Sequence, residues 1–340
     1  MMRRFVLAAL LLGLCACGRG DDREPFTDSR IPPNLGPAFW PPQAWAWGLV
    51  QVDGSPPQRY GVGAPLDEPP IAQVLLMPGY GGVAEEEFQT ASAFVDERMQ
   101  VWTLDGVGQG GSGRIVAPRD LGHVDSFSGD VEGVRATLAR VIRPAPETPL
   151  VAIADASAAP VLLRAAQTGL PGVTAIVLTE PRLRGRGLIP HAPAGPPWAR
   201  WLHYGRYRAP GAGPWKRDAG KAEPGSTAYV RHAWQTANPD LRMGGPSLGW
   251  LAAFDELLAA MRATGFRKLD LPVLILVDPK APAGERDDAA RLCRALPRCT
   301  LTSDAASDWS LREIAFVRGI AKADADPLET RALPNPRPGR

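Results

Sequence analysis

Apolar positions along this chain fall into short, nearly unbroken runs separated by stretches with helical spacing. Ile71-Ala72-Gln73-Val74-Leu75-Leu76-Met77 is almost continuously apolar, as expected of a strand buried on both faces. The same reading predicts strands over 100–104, 150–154, 173–178 and 271–277, and a short one over 300–302. An edge strand fits within 45–52, where proline is confined to the flanks. Between the strands the spacing predicts helices over 85–98, 130–143, 160–168, 251–263, 285–296 and 311–323. This alternation implies an α/β fold: a mostly parallel sheet with helices on both faces. Residues 181–249 break the pattern with Arg, Pro, Gly and Trp and read as a cap inserted into one domain. The predicted core is therefore split into 71–180 and 250–325, followed by a polar, disordered tail over 326–340.

The amino end reads differently. Arg3 and Arg4 precede an apolar run from Phe5 to Leu14, too short to span a bilayer but suited to a secretory signal. The run ends in Leu14-Cys15-Ala16-Cys17, which resembles a bacterial lipobox. That resemblance implies cleavage after Ala16, lipidation of Cys17, export, and anchoring to a lipid membrane on the periplasmic side. An ordinary secretory signal with incidental cysteines is the alternative. Residues 1–17 are thus read as signal peptide, and 18–70, rich in Pro and Trp, as a tether leading into the first strand.

Composition narrows the function classes. The 340 residues carry 38 Lys+Arg against 36 Asp+Glu, a net charge of +2, with no basic stripe for nucleic acid. Hydrophobic residues at 45% and charged residues at 22% fit a globular domain and argue against wholesale disorder. The two cysteines beyond the signal, Cys293 and Cys299, could close a short disulfide loop in an oxidising compartment or remain free thiols. No metal-type cluster accompanies them, so no metal or cofactor is expected.

Three loops follow strands at the carboxyl edge, where open α/β sheets bind ligands. They are Pro78-Gly79-Tyr80-Gly81-Gly82, the Gly-rich decapeptide Asp105 to Arg114, and Ala154-Asp155-Ala156-Ser157-Ala158. The glycine spacing does not match a dinucleotide fingerprint. With Leu121-Gly122-His123-Val124, the strand Val173 to Pro181, and Gly244-Gly245-Pro246-Ser247 before Trp250, these pieces resemble the α/β-hydrolase superfamily. The similarity is to its bacterial lysophospholipase and monoacylglycerol-lipase branch (serine aminopeptidase S33-like), over roughly 71–322 and in the right order.

The resemblance implies a serine on a strained strand-to-helix turn, a late histidine as base, an acid that orients it, and two backbone N–H groups for the oxyanion. The tight elbow needs small residues two before and two after its tip. A tip at 156 satisfies this with Ala154 and Ala158, but places alanine where the nucleophile belongs. A tip at Ser157 would set Asp155 at a position that requires a small residue. The acid position falls on Ala281 and the base position on Ser307, and no histidine lies beyond His232. Gly79, Tyr80, Gly81 and Ser157 occupy the oxyanion-loop positions. Three readings follow: a pseudoenzyme holding a lipid-like or acyl ligand; a rewired serine esterase using Ser157 with His191, His203 or His232; or a scaffold that meets a protein partner. On the first and third readings Ser157 would instead be a helix-capping residue, and His123 a satisfied loop histidine.

Overall fold

Strand-forming runs of Val, Leu and Ile set the frame. In the computed structural model, residues 22–184, 204–218 and 222–325 are described. Cys17, the signal segment, Trp198, Trp201, His191, His203 and the 326–340 tail lie outside them. Eight strands form one sheet: β1 (Ala46–Val50), β2 (Gln58–Gly63), β3 (Ala72–Met77), β4 (Met99–Leu104), β5 (Leu150–Asp155), β6 (Val173–Thr179), β7 (Val273–Val277) and β8 (Cys299–Ser303). Their order is β1-β2-β4-β3-β5-β6-β7-β8. Strand β2 runs antiparallel to both neighbours, and from β4 to β8 every pairing is parallel.

Helices α1 (Phe88–Asp96), α2 (Ser128–Ala136), α3 (Ala158–Gln167), α4 (Thr227–Ala237), α5 (Leu248–Thr264), α6 (Ala283–Ala295) and α7 (Trp309–Ala325) cover the sheet. Apolar residues of α2, α3, α5 and α6, among them Val134, Leu162, Phe254 and Leu292, pack on one face. Ala91 and Phe94 of α1, with Ile314 and Val317 of α7, pack on the other. Within 304–308 a short 3-10 turn (Ala306–Asp308) leads straight into α7, so Ser307 stands at the sheet's carboxyl edge beside β8. Cys293 and Cys299 are joined as a disulfide that ties α6 to β8, with the Cα atoms 5.3 Å apart.

The structure departs from the sequence-based expectation in three places. Residues 22–70 are not a free tether: Phe26 N–H donates to Gly111 O, Arg114 N–H to Arg23 O, and Arg30 N–H to Asn238 Oδ1. Leu35 is buried with Val83, Phe88 and Trp234, and Trp45 packs edge-on to Phe88 with ring centroids 5.1 Å apart. Strand β2 is an addition, because Gln58-Arg59-Tyr60-Gly61 lacks an apolar run. Helix α4 lies inside the predicted aperiodic cap; its start is fixed by Ser226, whose hydroxyl accepts from Tyr229 N–H.

Candidate active site

The sharp turn between β5 and α3 is where an attacking side chain would be displayed. Ala156 sits at its tip with φ +45°, a left-handed conformation that costs a non-glycine residue roughly 1 kcal/mol. Its backbone is held on both sides: Ala156 N–H donates to Thr179 O, and Arg182 N–H donates to Ala156 O. Ala154 and Ala158 flank the tip at the two positions that must be small. Gly79 passes so close that a Cβ there would lie 3.0 Å from the Ala156 methyl and from Asp155 O. The elbow geometry is complete, and its tip carries a methyl group.

Ser157 is the next residue and is buried. Its hydroxyl does not cap α3; it accepts the Tyr80 N–H at 2.7 Å. In an acyl-transfer site of this architecture, one oxyanion donor comes from this loop after the third strand and the other from the N–H following the nucleophile. Here the first of those donors is occupied by a neighbouring hydroxyl. The loop is otherwise clamped: Gly81 N–H donates to Gln109 Oε1 at 2.8 Å, and Tyr80 Oη donates to Gly244 O at 3.0 Å. Ser157 lines only a void of about 20 Å³, with Met77, Gln109 and Asp130.

The open cavity lies on the other side of the elbow. It encloses about 800 Å³ and is bordered by Asp155, by Leu76, Met77 and Ile153 of the sheet, and by Val230 and Arg231 of α4. Ala281 and Ser307 both line it, so the positions that the resemblance assigns to the acid and the base face one space. Ser307 Oγ donates to Asp308 Oδ1 at 3.2 Å and is exposed. Gly79, Tyr80, Gly81 and Ser157 do not border this cavity.

Carboxylates dominate its polar lining: Glu86, Glu87, Asp155, Glu180, Asp278 and Glu313. Glu86 is paired with Arg231, which donates through Nε at 2.5 Å and Nη2 at 3.0 Å. Asp155 accepts from the Thr179 hydroxyl at 2.9 Å, and burial pushes its carboxyl up. Burial also raises Glu87, with Glu86, Asp155 and Glu313 adding repulsion. Glu313 is 5% exposed and has no hydrogen-bond or ion-pair partner among the described residues. Burial, with Asp155 nearby, pushes it up to about 8. The sequence reading missed Glu86, Glu87, Glu180 and Glu313. A signal existed for Glu313: it stands four residues after Trp309 and four before Val317, on the apolar stripe of its helix.

Two histidines are described. His123 Nδ1 lies 2.8 Å from Ser247 Oγ, and its Nε2 lies 3.3 Å from Asp125 Oδ1. These are the residue types of a catalytic triad, but Ser247 is fully buried and its hydroxyl accepts the Trp250 N–H at the start of α5. Burial lowers the His123 pKa against the pull of Asp125, and the cluster serves as a structural lock between two loops. His232 stacks on Trp215 and bonds Arg217 O at 2.7 Å, away from the cavity. Trp215 itself is covered by Arg242 at 4.3 Å, so this part of the cap packs on itself. Among the described residues, no group of three or more His, Cys, Asp or Glu is placed to hold a metal ion, and no helix is long and apolar enough to cross a membrane.

An eight-stranded sheet with its second strand reversed, a strained turn after β5 and an inserted helical cap define an α/β-hydrolase fold. Residues 68–309 match the family described as serine aminopeptidase, S33, and the chain belongs to that family. A monoglyceride lipase from Saccharomyces cerevisiae, crystallised with a substrate analogue, is similar in structure with a TM-score of 0.63 at 13% identity. That likeness covers 82% of this chain and 96% of the lipase. A thermostable carboxyl esterase from Bacillus coagulans gives 0.59 at 13% identity over 82% of this chain and 100% of the esterase. At such identities the likeness is one of fold. None of the curated proteins matches this chain.

Proposed function

We propose that this chain is a retired serine hydrolase that works as a ligand-binding lipoprotein, exported and held on a membrane through lipidated Cys17. One observation carries the reading: the elbow tip is the Ala156 methyl, in the left-handed conformation that a hydrolase uses to present its nucleophile. The surrounding groups support it. The Ser157 hydroxyl is turned to the Tyr80 N–H, where an oxyanion would otherwise bind, and the acid and base positions carry Ala281 and Ser307. Neither an alanine nor a serine can serve as a base near neutral pH. The cavity, at about 800 Å³, is within the usual range for small-molecule sites. Leu76, Met77, Ile153 and Val230 offer an apolar wall for the body of a lipid-like ligand.

The test is a fluorophosphonate serine-hydrolase probe applied to the detergent-solubilised protein, with Ser157→Ala alongside. No labelling is expected. Labelling that disappears in Ser157→Ala would replace the pseudoenzyme reading with a rewired esterase. For the anchor, Cys17→Ser is expected to move the protein from the membrane fraction to the soluble one. Retention on the membrane would remove lipidation from the proposal.

A further inference from the structure

We infer that the cavity beside the elbow recognises an organic cation, an alkylammonium group seated among Glu313, Glu87 and Asp155 with its apolar part against the sheet residues. This deepens the ligand-binding reading, on which it rests, by naming the ligand's charge.

The first observation is the balance of charges around the space. Six carboxylates border it against two cations, Arg231 and Lys280. Arg231 is committed to Glu86, and Lys280 is exposed, with its backbone N–H rather than its ammonium bonded to Asp278. Glu87, Asp155, Glu180 and Glu313 are left without a protein cation in contact. Buried carboxylates in proteins are ordinarily paired, because taking an ion out of water unpaired costs several kcal/mol.

The second observation is independent of that count. Glu313 is more than nine-tenths buried, lines the cavity and is unpartnered among the described residues. It extends from α7, while Glu86 and Glu87 come from the turn before α1 and Asp155 from the end of β5, so acids reach the space from three separate segments. A carboxylate or phosphate ligand would find no uncommitted buried cation in this wall, since Arg231 is held by Glu86, which disfavours a fatty acid. The acids are spread around the cavity and form no cluster tight enough for a metal ion among the described residues. A larger cation with several N–H donors can satisfy acids dispersed in this way.

Charge pairing also predicts a pH response. The titratable and charged groups that line the cavity with Glu313 are Asp155 at the end of β5, Glu86 and Glu87 before α1, Arg231 on α4, Glu180 after β6, and Asp278 and Lys280 after β7, of which Asp155 acts on it most directly. Since Glu313 holds its proton up to about pH 8, an ammonium ligand must displace that proton. Affinity therefore rises between pH 6.5 and 8.5.

Isothermal titration of the full-length protein in detergent, at low salt, with hexylammonium chloride and sodium hexanoate separates the possibilities. Saturable binding of hexylammonium, at least tenfold tighter than hexanoate and strengthening toward pH 8.5, is expected. Glu313→Gln should weaken hexylammonium at pH 8.5 at least tenfold, and Glu87→Gln should weaken it severalfold, each with an unchanged near-ultraviolet circular dichroism spectrum. Hexanoate binding as tightly as hexylammonium, binding of neither, or hexylammonium affinity untouched in both variants would overturn the cation site. Failure of the binding-protein reading is registered separately, by Ser157-dependent probe labelling, which leaves the charge preference of the cavity measurable.

Discussion

Glu85 and Glu87 stand two residues apart on one 3-10 turn, Ala84–Glu87, yet they belong to different kinds of acidic environment. Glu85 is fully buried and receives Arg59 Nη1 at 2.7 Å and Nη2 at 2.8 Å. The same guanidinium donates through Nε to Asp105 at 2.8 Å and stacks over Trp47 at 4.1 Å. Asp105 accepts Ala84 N–H at 3.0 Å and Gly111 N–H at 2.9 Å. Gly110, at φ +49°, lets the loop wrap this carboxylate, since a Cβ there would come within 2.3 Å of it. Burial lowers the Arg59 pKa, but Asp105 and Glu85 outweigh it and hold the guanidinium above its usual range. Glu87, in contrast, faces the cavity with Asp155 and Glu313 and without a cation. The lesson is about pairing: where every oxygen of a buried acid is answered, the acid is building the fold. Where it is not, burial holds the carboxyl in its neutral form, as at Glu87 and Glu313, and its oxygens are left open to the cavity.

The largest effect should come from breaking the paired side. Arg59→Met leaves Glu85 and Asp105 buried without their cation, and removing one partner of such a network costs about 3–5 kcal/mol. Urea denaturation followed by circular dichroism should show a correspondingly lower midpoint with a similar slope. A loss below about 1 kcal/mol would mean that this network is no more structural than the cavity acids, and the contrast would collapse.

The cavity side should respond in the opposite direction. Glu313 has its native pKa raised from 4.5 to about 8. Between those values the folded protein holds a proton that the unfolded chain has released, so this group makes stability fall as pH rises through that window. Glu313→Gln removes the titration. The variant should match the wild type near pH 4.5 and gain on it by roughly 2–4 kcal/mol by pH 8, levelling off above. Equal pH profiles for the two proteins would show that Glu313 does not carry a raised pKa, and the contrast with Glu85 would fail.

Much of this fold was legible because β3, β5, β6 and β7 are nearly continuous apolar runs of strand length, rich in Val, Leu and Ile. Strand β2 was not, since Gln58 and Arg59 are buried polar residues whose partners, Asp105 and Glu85, lie far along the chain. Helix α4 was hidden because its buried face is short, Val230, Ala233 and Trp234 with the polar Gln235 beside them, although Ser226 marked its start. At the site, the elbow could be placed from steric need alone: only a tip at 156 has alanine on both sides. The acids could not. Glu85-Glu86-Glu87 looks like a solvated helix start, and which of the three is paired depends on Arg59 and Arg231, contributed by remote segments.

A smaller effect is expected at the elbow, where backbone strain can be tested apart from the acids. Ala156 and Glu180 are both in left-handed conformations, at φ +45° and +42°, at the ends of the adjacent strands β5 and β6. In an active hydrolase such strain serves to expose the nucleophile. With a methyl at the tip, the strain exposes no nucleophile at this position. Glycine adopts this conformation freely, so Ala156→Gly should relieve roughly 1 kcal/mol of strain. Greater backbone freedom in the unfolded chain and loss of one partly buried methyl offset part of this, leaving a net gain of about 0.5 kcal/mol. A small rise in the urea midpoint at unchanged slope is the expected result, with hexylammonium binding unaltered because Ala156 does not border the cavity. A fall in stability would mean that the methyl packs usefully against the loop at Gly79. A changed affinity would mean that elbow and cavity are one site after all, and the division between inherited strain and retained charge would have to be redrawn.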